Sequence, residues 1–98
     1  MMATFITLVT FTDQGIRNVK ETLNRAEKAR EMAQKFGVEM TDIYWTLGQY
    51  DLVVTSNSSD DASATAFSLA LGSAGNVRTQ TLRAFSKDDM KDILSKMP

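Results

Sequence analysis

The 98-residue sequence contains no cysteine and no histidine. Without cysteine the chain cannot form a disulfide, so nothing in its composition indicates an oxidising compartment. Structural zinc sites are built from Cys and His, and haem usually takes one of the two as an axial ligand. We therefore expect no metal and no cofactor. A histidine general base and a cysteine nucleophile are excluded outright.

The sequence also lacks a field of one charge sign and a long apolar run. Eleven Lys and Arg residues face twelve Asp and Glu residues, for a net charge of −1, which disfavours nucleic acid as a partner. No window approaches the roughly 20 apolar residues of a membrane-spanning helix, and the N-terminus lacks the basic start of a signal peptide. These absences predict a cytoplasmic protein without a membrane partner.

The composition is that of a globular protein, with 43% apolar residues. The length predicts one domain over residues 1–98. Because so small a domain has an unfavourable ratio of surface to volume, its core alone gives only marginal stability. Burying one face against a second copy is a common remedy.

The order of apolar patterns predicts a chain of the form β-α-β-β-α-β-α. Strands are expected at residues 4–11, 38–47, 50–55 and 76–85, and helices at residues 16–36, at 60–74 and after Ser86. The first six elements match the ferredoxin-like α+β sandwich, a four-stranded antiparallel sheet with two helices on one face. The last helix is an addition at the C-terminus. Since the first strand is apolar on both sides, we expect the second face of the sheet to be covered as well.

The second and third strands are predicted to form a hairpin around a two-residue turn, Gly48-Gln49. This register pairs Trp45 with Leu52, which predicts Trp45 in the core. It also places Tyr50 on the apolar face of the hairpin, and Tyr44 and Asp51 on the opposite face.

Helix boundaries follow from capping residues and apolar spacing. The predicted N-caps are Asp13 for the first helix, Ser58 with Asp61 for the second, and Ser86 with Asp89 for the last. Gly37 is expected to end the first helix. The buried face of that first helix is predicted to carry Ile16, Val19, Leu23, Ala26 and Ala33.

A candidate ligand site is predicted on and beside the hairpin. It comprises Tyr44, Thr46, Tyr50, Asp51, Arg78 and Arg83. Asp51 is the candidate catalytic base, since a carboxylate beside aromatic groups is a frequent functional site. Two other interpretations of Asp51 stay open, namely that it fixes the hairpin or that it pairs with Arg78 or Arg83. An arginine on an exposed edge strand also deters aggregation without any ligand.

Three segments resemble the GYD-domain family. The hairpin carries Gly48, Tyr50 and Asp51 in the order of the family's namesake triplet, with Gln49 inserted. Residues 7–16 and 75–85 are also similar to this family. The resemblance implies a ferredoxin-like fold related to the dimeric α/β-barrel group, in which two sheets pair around a shared interior. That group includes cofactor-independent monooxygenases and isomerases, haem binders and ligand-sensing domains, so the resemblance carries over no catalytic residue.

Three functions remain in competition. The first is a homo-oligomeric module, a homodimer or larger, that binds a small molecule or serves assembly. The alternative is a cofactor-independent enzyme, monooxygenase- or isomerase-like, acting on a small aromatic or carbonyl compound with Asp51 as base. A ligand-sensing domain with a separate partner is the third. An RNA-recognition motif shares the topology, but the third strand lacks the aromatic and basic pattern that RNA binding requires.

Overall fold

The computed structural model describes residues 2–98. The elements are β1 (Ala3–Phe11), α1 (Asp13–Arg17), a 3₁₀ turn (Val19–Glu21), α2 (Thr22–Lys35), β2 (Val38–Trp45), β3 (Leu52–Ser58), α3 (Asp61–Ser73), β4 (Val77–Ala84) and α4 (Lys87–Ser95). The strands form one antiparallel sheet in the order β2-β3-β1-β4. The predicted ferredoxin-like sandwich with an added C-terminal helix is confirmed.

The two faces of the sheet differ in what covers them. Along β1, Phe5, Thr7 and Val9 are buried, whereas the residues between them are half-buried. Since side chains alternate between the faces of a strand, these two sets define a helix face and an open face. The open face carries the apolar side chains of Ile6, Leu8, Tyr44, Val53 and Leu82, placed there by the pairings of β1 with β3 and β4 and of β2 with β3.

The core lies between the helix face and the two helices α2 and α3. Its buried members are Val9, Ala33, Val38, Met40, Leu52, Val54 and Phe67. The rings of Phe36 and Phe67 meet at a centroid distance of 6.0 Å, which joins the end of α2 to the middle of α3. Gly37 follows α2 with a φ of 76°, as predicted for a residue that ends a helix in the left-handed region.

The hairpin keeps the predicted register but not the predicted turn. Trp45 pairs with Leu52 as expected. The strands stop there, so residues 46–51 form a longer connection than the two-residue turn. The backbone N–H of Thr46 still donates to the carbonyl of Asp51 at 2.8 Å. Asp51 then turns toward β1 rather than continuing the ladder, and the connection lengthens for that reason.

β3 is longer than predicted because it has a partner on each side. Residues 56–58 read as a polar loop, yet Ser58 pairs with Ala3 of β1 and with Val38 of β2. Backbone pairing on both edges outweighs the polar composition. The predicted cap of α3 is therefore wrong: its N-cap is Asp60, whose carboxylate accepts from the N–H of Ser63 at 2.7 Å.

The first predicted helix is divided by the 3₁₀ turn, and its buried face is shifted. Thr12, not Asp13, caps α1 by accepting from the N–H of Gly15 at 3.1 Å. Ile16, Val19 and Leu23 are exposed, Leu23 by 66%. Ala26 and Ala33 face inward as predicted, and they are joined there by Ala29, Met32 and Phe36. The break changes the rotation of the chain, so one helical period cannot describe both halves.

α4 begins at the predicted capping box. The Ser86 hydroxyl accepts from the N–H of Asp89 and the Asp89 carboxylate from the N–H of Ser86, both at 3.0 Å. Within residues 2–98 this helix makes no extended contact with another strand or helix. The molecule is accordingly elongated, 52 × 30 × 18 Å. None of the helices in this part of the chain has the length and apolar character needed to cross a bilayer.

Candidate functional site

Asp51 fastens the hairpin connection to the end of β1. Its carboxylate accepts from the backbone N–H of Phe11 at 2.8 Å, and its own N–H donates to the carbonyl of Val9 at 2.8 Å. β3 pairs with β1 only as far as Val9, opposite Leu52. The carboxylate therefore satisfies an amide of β1 that lies beyond the β3 ladder, a position where an unpaired donor would be costly.

The predicted pairing of Asp51 with an arginine is wrong. Among residues 2–98 the one ion pair within 4.0 Å joins Lys91 and Asp88 on α4. Arg83 lies opposite Phe5, six strand residues from Phe11 and thus about 20 Å away along β1. Its guanidinium lies over the rings of Phe5 and Phe85, at 5.6 and 4.7 Å from their centroids.

Arg78 lies nearer to Asp51 along the sheet but extends into solvent. It pairs with Thr10 near the end of β1, on the open face. Because Arg83 is an odd number of residues further along β4, it belongs to the helix face. The two arginines therefore flank opposite sides of the sheet and do not share one pocket.

The tyrosines both reach the open face. Tyr44 lies opposite Val53 and is 61% exposed. The Tyr50 hydroxyl donates to Oε1 of Gln80 at 3.3 Å, and Gln80 belongs to the open side of β4. The predicted placement of Tyr50 beside Leu52 on the apolar face is thus wrong. Thr46 is exposed in the connection, where its hydroxyl donates to the carbonyl of Tyr50 at 2.6 Å.

Trp45 is not the core residue that the sequence predicts. It is 43% exposed, and its indole Nε1 donates to the hydroxyl of Thr22 at 3.0 Å. Trp45 is the last residue of β2 and Thr22 the first of α2, so the bond ties the end of the hairpin to the start of the helix. A tryptophan with one wet edge and one hydrogen bond is common at such a boundary.

A second set of contacts joins α1 to the loop before β4. The N–H of Thr12 donates to the carbonyl of Asn76 at 3.0 Å, and the Gln14 amide donates to the Asn76 side chain at 3.0 Å. A Cβ on Gly15 would lie 2.0 Å from the Asn76 carbonyl oxygen, so only glycine permits this approach. The three segments that resemble the GYD family therefore meet at the same end of the sheet.

The sequence did not reveal a cleft on the helix face. It lies between α2 and α3 above β1 and β3, with a volume of about 320 Å³ and a mainly apolar lining. The available signal is the run of alanines on both helices, at positions 26, 29, 70 and 74. The alanines alone do not predict a cleft, because alanine is equally suited to close helix packing. The separation of the two helices must be known first.

Comparison with known proteins agrees with this geometry. Residues 5–94 match the family model described as the GYD domain. The chain is 36% identical over 90 residues to the glutamine synthetase and cystathionine beta-lyase binding protein of Thermus thermophilus, an alignment that covers 91% of this chain and 95% of that protein. No solved structure matches it significantly. The match over nearly the full length, together with the convergence of the three segments, shows that the chain belongs to the GYD-domain family.

Proposed function

We propose that this GYD-domain chain is a protein-binding module that acts as a homo-oligomer, in which two copies meet through their open faces. The observation that carries the proposal is the uncovered apolar surface of the sheet. Ile6, Leu8 and Val53 form its centre, and Tyr44 and Leu82 (41% exposed) lie toward its edges. A contiguous apolar patch of this kind marks an interaction site on a small protein.

Self-association through the open face would bury one side of the sheet on each copy. Specific interfaces bury about 800 Å² on each partner. Two sheets that pack face to face lie about 10 Å apart and interleave their side chains. Such an arrangement would form a shared interior like the one expected from the dimeric α/β-barrel group. Tyr44 and the bonded pair Tyr50–Gln80 would then border that interior.

Binding to other proteins is supported by the Thermus relative and by α4. The relative's name states that it binds glutamine synthetase and cystathionine beta-lyase. In this chain α4 presents Met90, Ile93 and Leu94 to solvent on a capped helix, and Met97, two residues after the helix ends, is exposed as well. An amphipathic helix that is already formed can enter an apolar groove of another protein without a large ordering cost. We propose the same two enzymes as the first partners to test.

The enzyme alternative has less support from the geometry. The Asp51 carboxylate accepts from a backbone amide, and the Tyr50 hydroxyl is bonded to Gln80. A base must reach the proton that it removes, at about 2.6–3.2 Å or through one water. In the described chain the arginines that would stabilise an anion lie on opposite faces of the sheet. The contacts of Asp51 and Tyr50 are therefore structural ones, to the backbone and to another side chain of the same molecule.

The test compares two leucine substitutions by sedimentation. Leu82→Glu places a carboxylate on the open face, where a partner sheet would desolvate it, so we expect a monomer. Leu69→Glu is the matched control, since Leu69 is 70% exposed on α3 and belongs to the helix side. We expect the parent and the control to sediment as dimers or larger. A monomeric parent at micromolar concentration, or a dimeric Leu82→Glu variant, would contradict the proposal.

Partner binding is read in the same experiment. Glutamine synthetase and cystathionine beta-lyase from the same organism are added to each variant, and co-sedimentation is measured. We expect the parent to co-sediment with one or both enzymes. Absence of co-sedimentation with either enzyme, for a parent that self-associates, would overturn the partner proposal and leave the oligomer intact.

A further inference from the structure

The cleft between α2 and α3 is partly open to solvent and has a volume of about 320 Å³. Small-molecule sites begin at roughly 300 Å³. An apolar cavity of about 150 Å³ holds one benzene ring, so this cleft has room for about two such rings or a medium-length saturated chain.

The space results from where the helices place their alanines. Ala26 and Ala29 of α2 face Ala70 of α3 across the cleft. The same α2 directs Leu23 outward, where it is mostly exposed. A large apolar side chain is thus present on α2, but it lies outside the cleft. In the first half of α2 the positions that line the cleft, Ala26 and Ala29, are small and the large Leu23 is on the outside, which leaves room in the cleft.

The floor of the cleft is apolar apart from a few hydroxyls. Val9, Leu52 and Val54 are buried at its base. Ser56 lies beside them and is also buried. A ligand here would meet mostly hydrocarbon.

The wall formed by α2 adds positive charge. Arg25 and Lys28 line the cleft, and no Asp or Glu does. Arg25 lies 5.8 Å from the centroid of the Phe11 ring and donates to the carbonyl of Gly15 at 3.1 Å. Within the described chain neither cation forms an ion pair with a carboxylate. Two cations beside an apolar cavity favour a ligand with an apolar body and one negative group.

We propose that this cleft binds a monocarboxylic acid with an apolar body, the body resting on Val9, Leu52 and Val54 and the carboxylate meeting Arg25 and Lys28. The site is on the helix face, so it is separate from the sheet surface assigned to self-association. It could be occupied in a monomer as well as in an oligomer. The two proposals can therefore fail independently.

The first test locates the ligand by methyl NMR with decanoic acid as the probe. We expect saturable shifts of the Val9, Leu52 and Val54 methyl groups, with those of Leu8 and Val53 on the open face unmoved. The measurement is repeated on Leu82→Glu to remove any effect of self-association. No saturable shift up to millimolar decanoate, or a response centred on Leu8 and Val53, would overturn the proposal.

The second test fills the cleft. Ala29→Leu adds a side chain where there is empty space, so the fold is expected to persist and decanoate binding to be lost. Ala66→Leu, on the exposed side of α3, is the matched control and should bind as the parent does. An Ala29→Leu variant that binds decanoate like the control would contradict the site.

The third test separates the contribution of the Arg25 charge to binding from the contribution of the apolar body of the ligand. Arg25→Gln should weaken decanoate by about tenfold, the usual effect of losing a charge-assisted hydrogen bond. Decanol, which has the same chain without the carboxylate, should bind both forms within a factor of about two. Equal losses for the acid and the alcohol would show that Arg25 supports the fold and not the carboxylate.

Discussion

At the scale of single residues, Asp51 shows how a carboxylate can resemble a functional group and serve the backbone. It lies in the segment that identifies the family, directly after Tyr50, and its charge is not neutralised by an arginine in the described chain. Its bonds go instead to the main chain of β1, at Phe11 and Val9. A carboxylate that accepts from a backbone N–H forms one of the stronger protein hydrogen bonds.

We expect Asp51→Asn and Asp51→Ala to differ in stability. Asparagine keeps an acceptor oxygen for the Phe11 amide, so its cost should stay below about 1 kcal/mol. Alanine leaves that amide unpaired in a half-buried site and should cost about 2 kcal/mol. Urea unfolding at pH 7 and one fixed chain concentration measures both values. Equal losses of unfolding free energy for the two variants would contradict the role of the Phe11–Asp51 hydrogen bond, because only asparagine keeps an acceptor for the Phe11 amide.

At the scale of elements, α4 depends for its stability on interactions within the helix itself. It receives no extended packing from the rest of residues 2–98, so its capping box carries more of its stability than a cap usually does. The backbone N–H of Ser86, followed by the Ser86 side chain, lowers the pKa of the Asp89 carboxyl. α4 should therefore respond to changes that leave the sheet untouched.

Ser86→Ala should destabilise α4 by about 1 kcal/mol, the usual cost of losing an N-cap. The core should hardly change, because α4 does not pack on it. Amide exchange and secondary chemical shifts of residues 87–95 in the monomeric Leu82→Glu background measure the effect, with Ser95→Ala at the other end of the helix as the control. A loss spread over the β-strands would contradict an independent helix.

The same capping box predicts how α4 responds to acid. A carboxyl whose pKa is lowered by folding stabilises the folded form above its unfolded pKa, and this contribution is lost as the pH falls through the lowered value. Helicity of residues 87–95 should thus decrease on acidification below the usual range of aspartate. The Asp89→Asn variant should show a smaller decrease. An identical acid response in both would mean that Asp89 contributes nothing.

The elements that sequence predicted well are those fixed by local chemistry. The Ser86–Asp89 spacing requires only near neighbours, and the capping box is found as predicted. β1 is found where predicted, but one of its faces is more deeply buried than the other. The start of α2 and the end of β3 depend on other segments. Residues 56–58 become strand because β1 and β2 both pair with them. The α2–α3 cleft depends on the distance between two helices, which no single segment encodes.

The positions of the candidate-site residues could be predicted only where they depend on a local pattern. The strand register correctly placed Tyr44 on the face away from the helices, since alternation is a local property. Tyr50 was misplaced because it lies in the connection, where alternation no longer applies. Its hydroxyl reaches Gln80 across β1, a contact 30 residues away in sequence. Arg83 could not be excluded as a partner of Asp51 until the register of β4 was known.

At the scale of the whole molecule, the chain is more extended than a compact domain with the same number of residues. Its radius of gyration is 14.6 Å, against about 13 Å for a compact chain of 100 residues. The excess agrees with a terminal helix that stands away from the sheet. An elongated monomer with two uncovered apolar surfaces, the open face and α4, is suited to an assembly with more than one kind of contact.

Removing residues 87–98 should shorten the molecule without unfolding it. In the Leu82→Glu background, small-angle scattering should show a decrease in the radius of gyration of about 1–2 Å, toward the compact value. Circular dichroism should lose helix and keep the strand signal. An unchanged radius would show that α4 folds back onto the sheet in solution.

The exposed methionines on and just after α4 would also make contacts through this helix sensitive to oxidants. Met90 and Met97 are 39% and 66% exposed, whereas Met40 is buried beneath the helices. Oxidation would convert the thioethers of Met90 and Met97 to polar sulfoxides and leave the buried Met40 intact. The sheet would stay folded while the surface of α4 lost the apolar character that a groove recognises. Because reductases reverse this change, contacts made through α4 would depend on the redox history of the cell in a chain that has no cysteine.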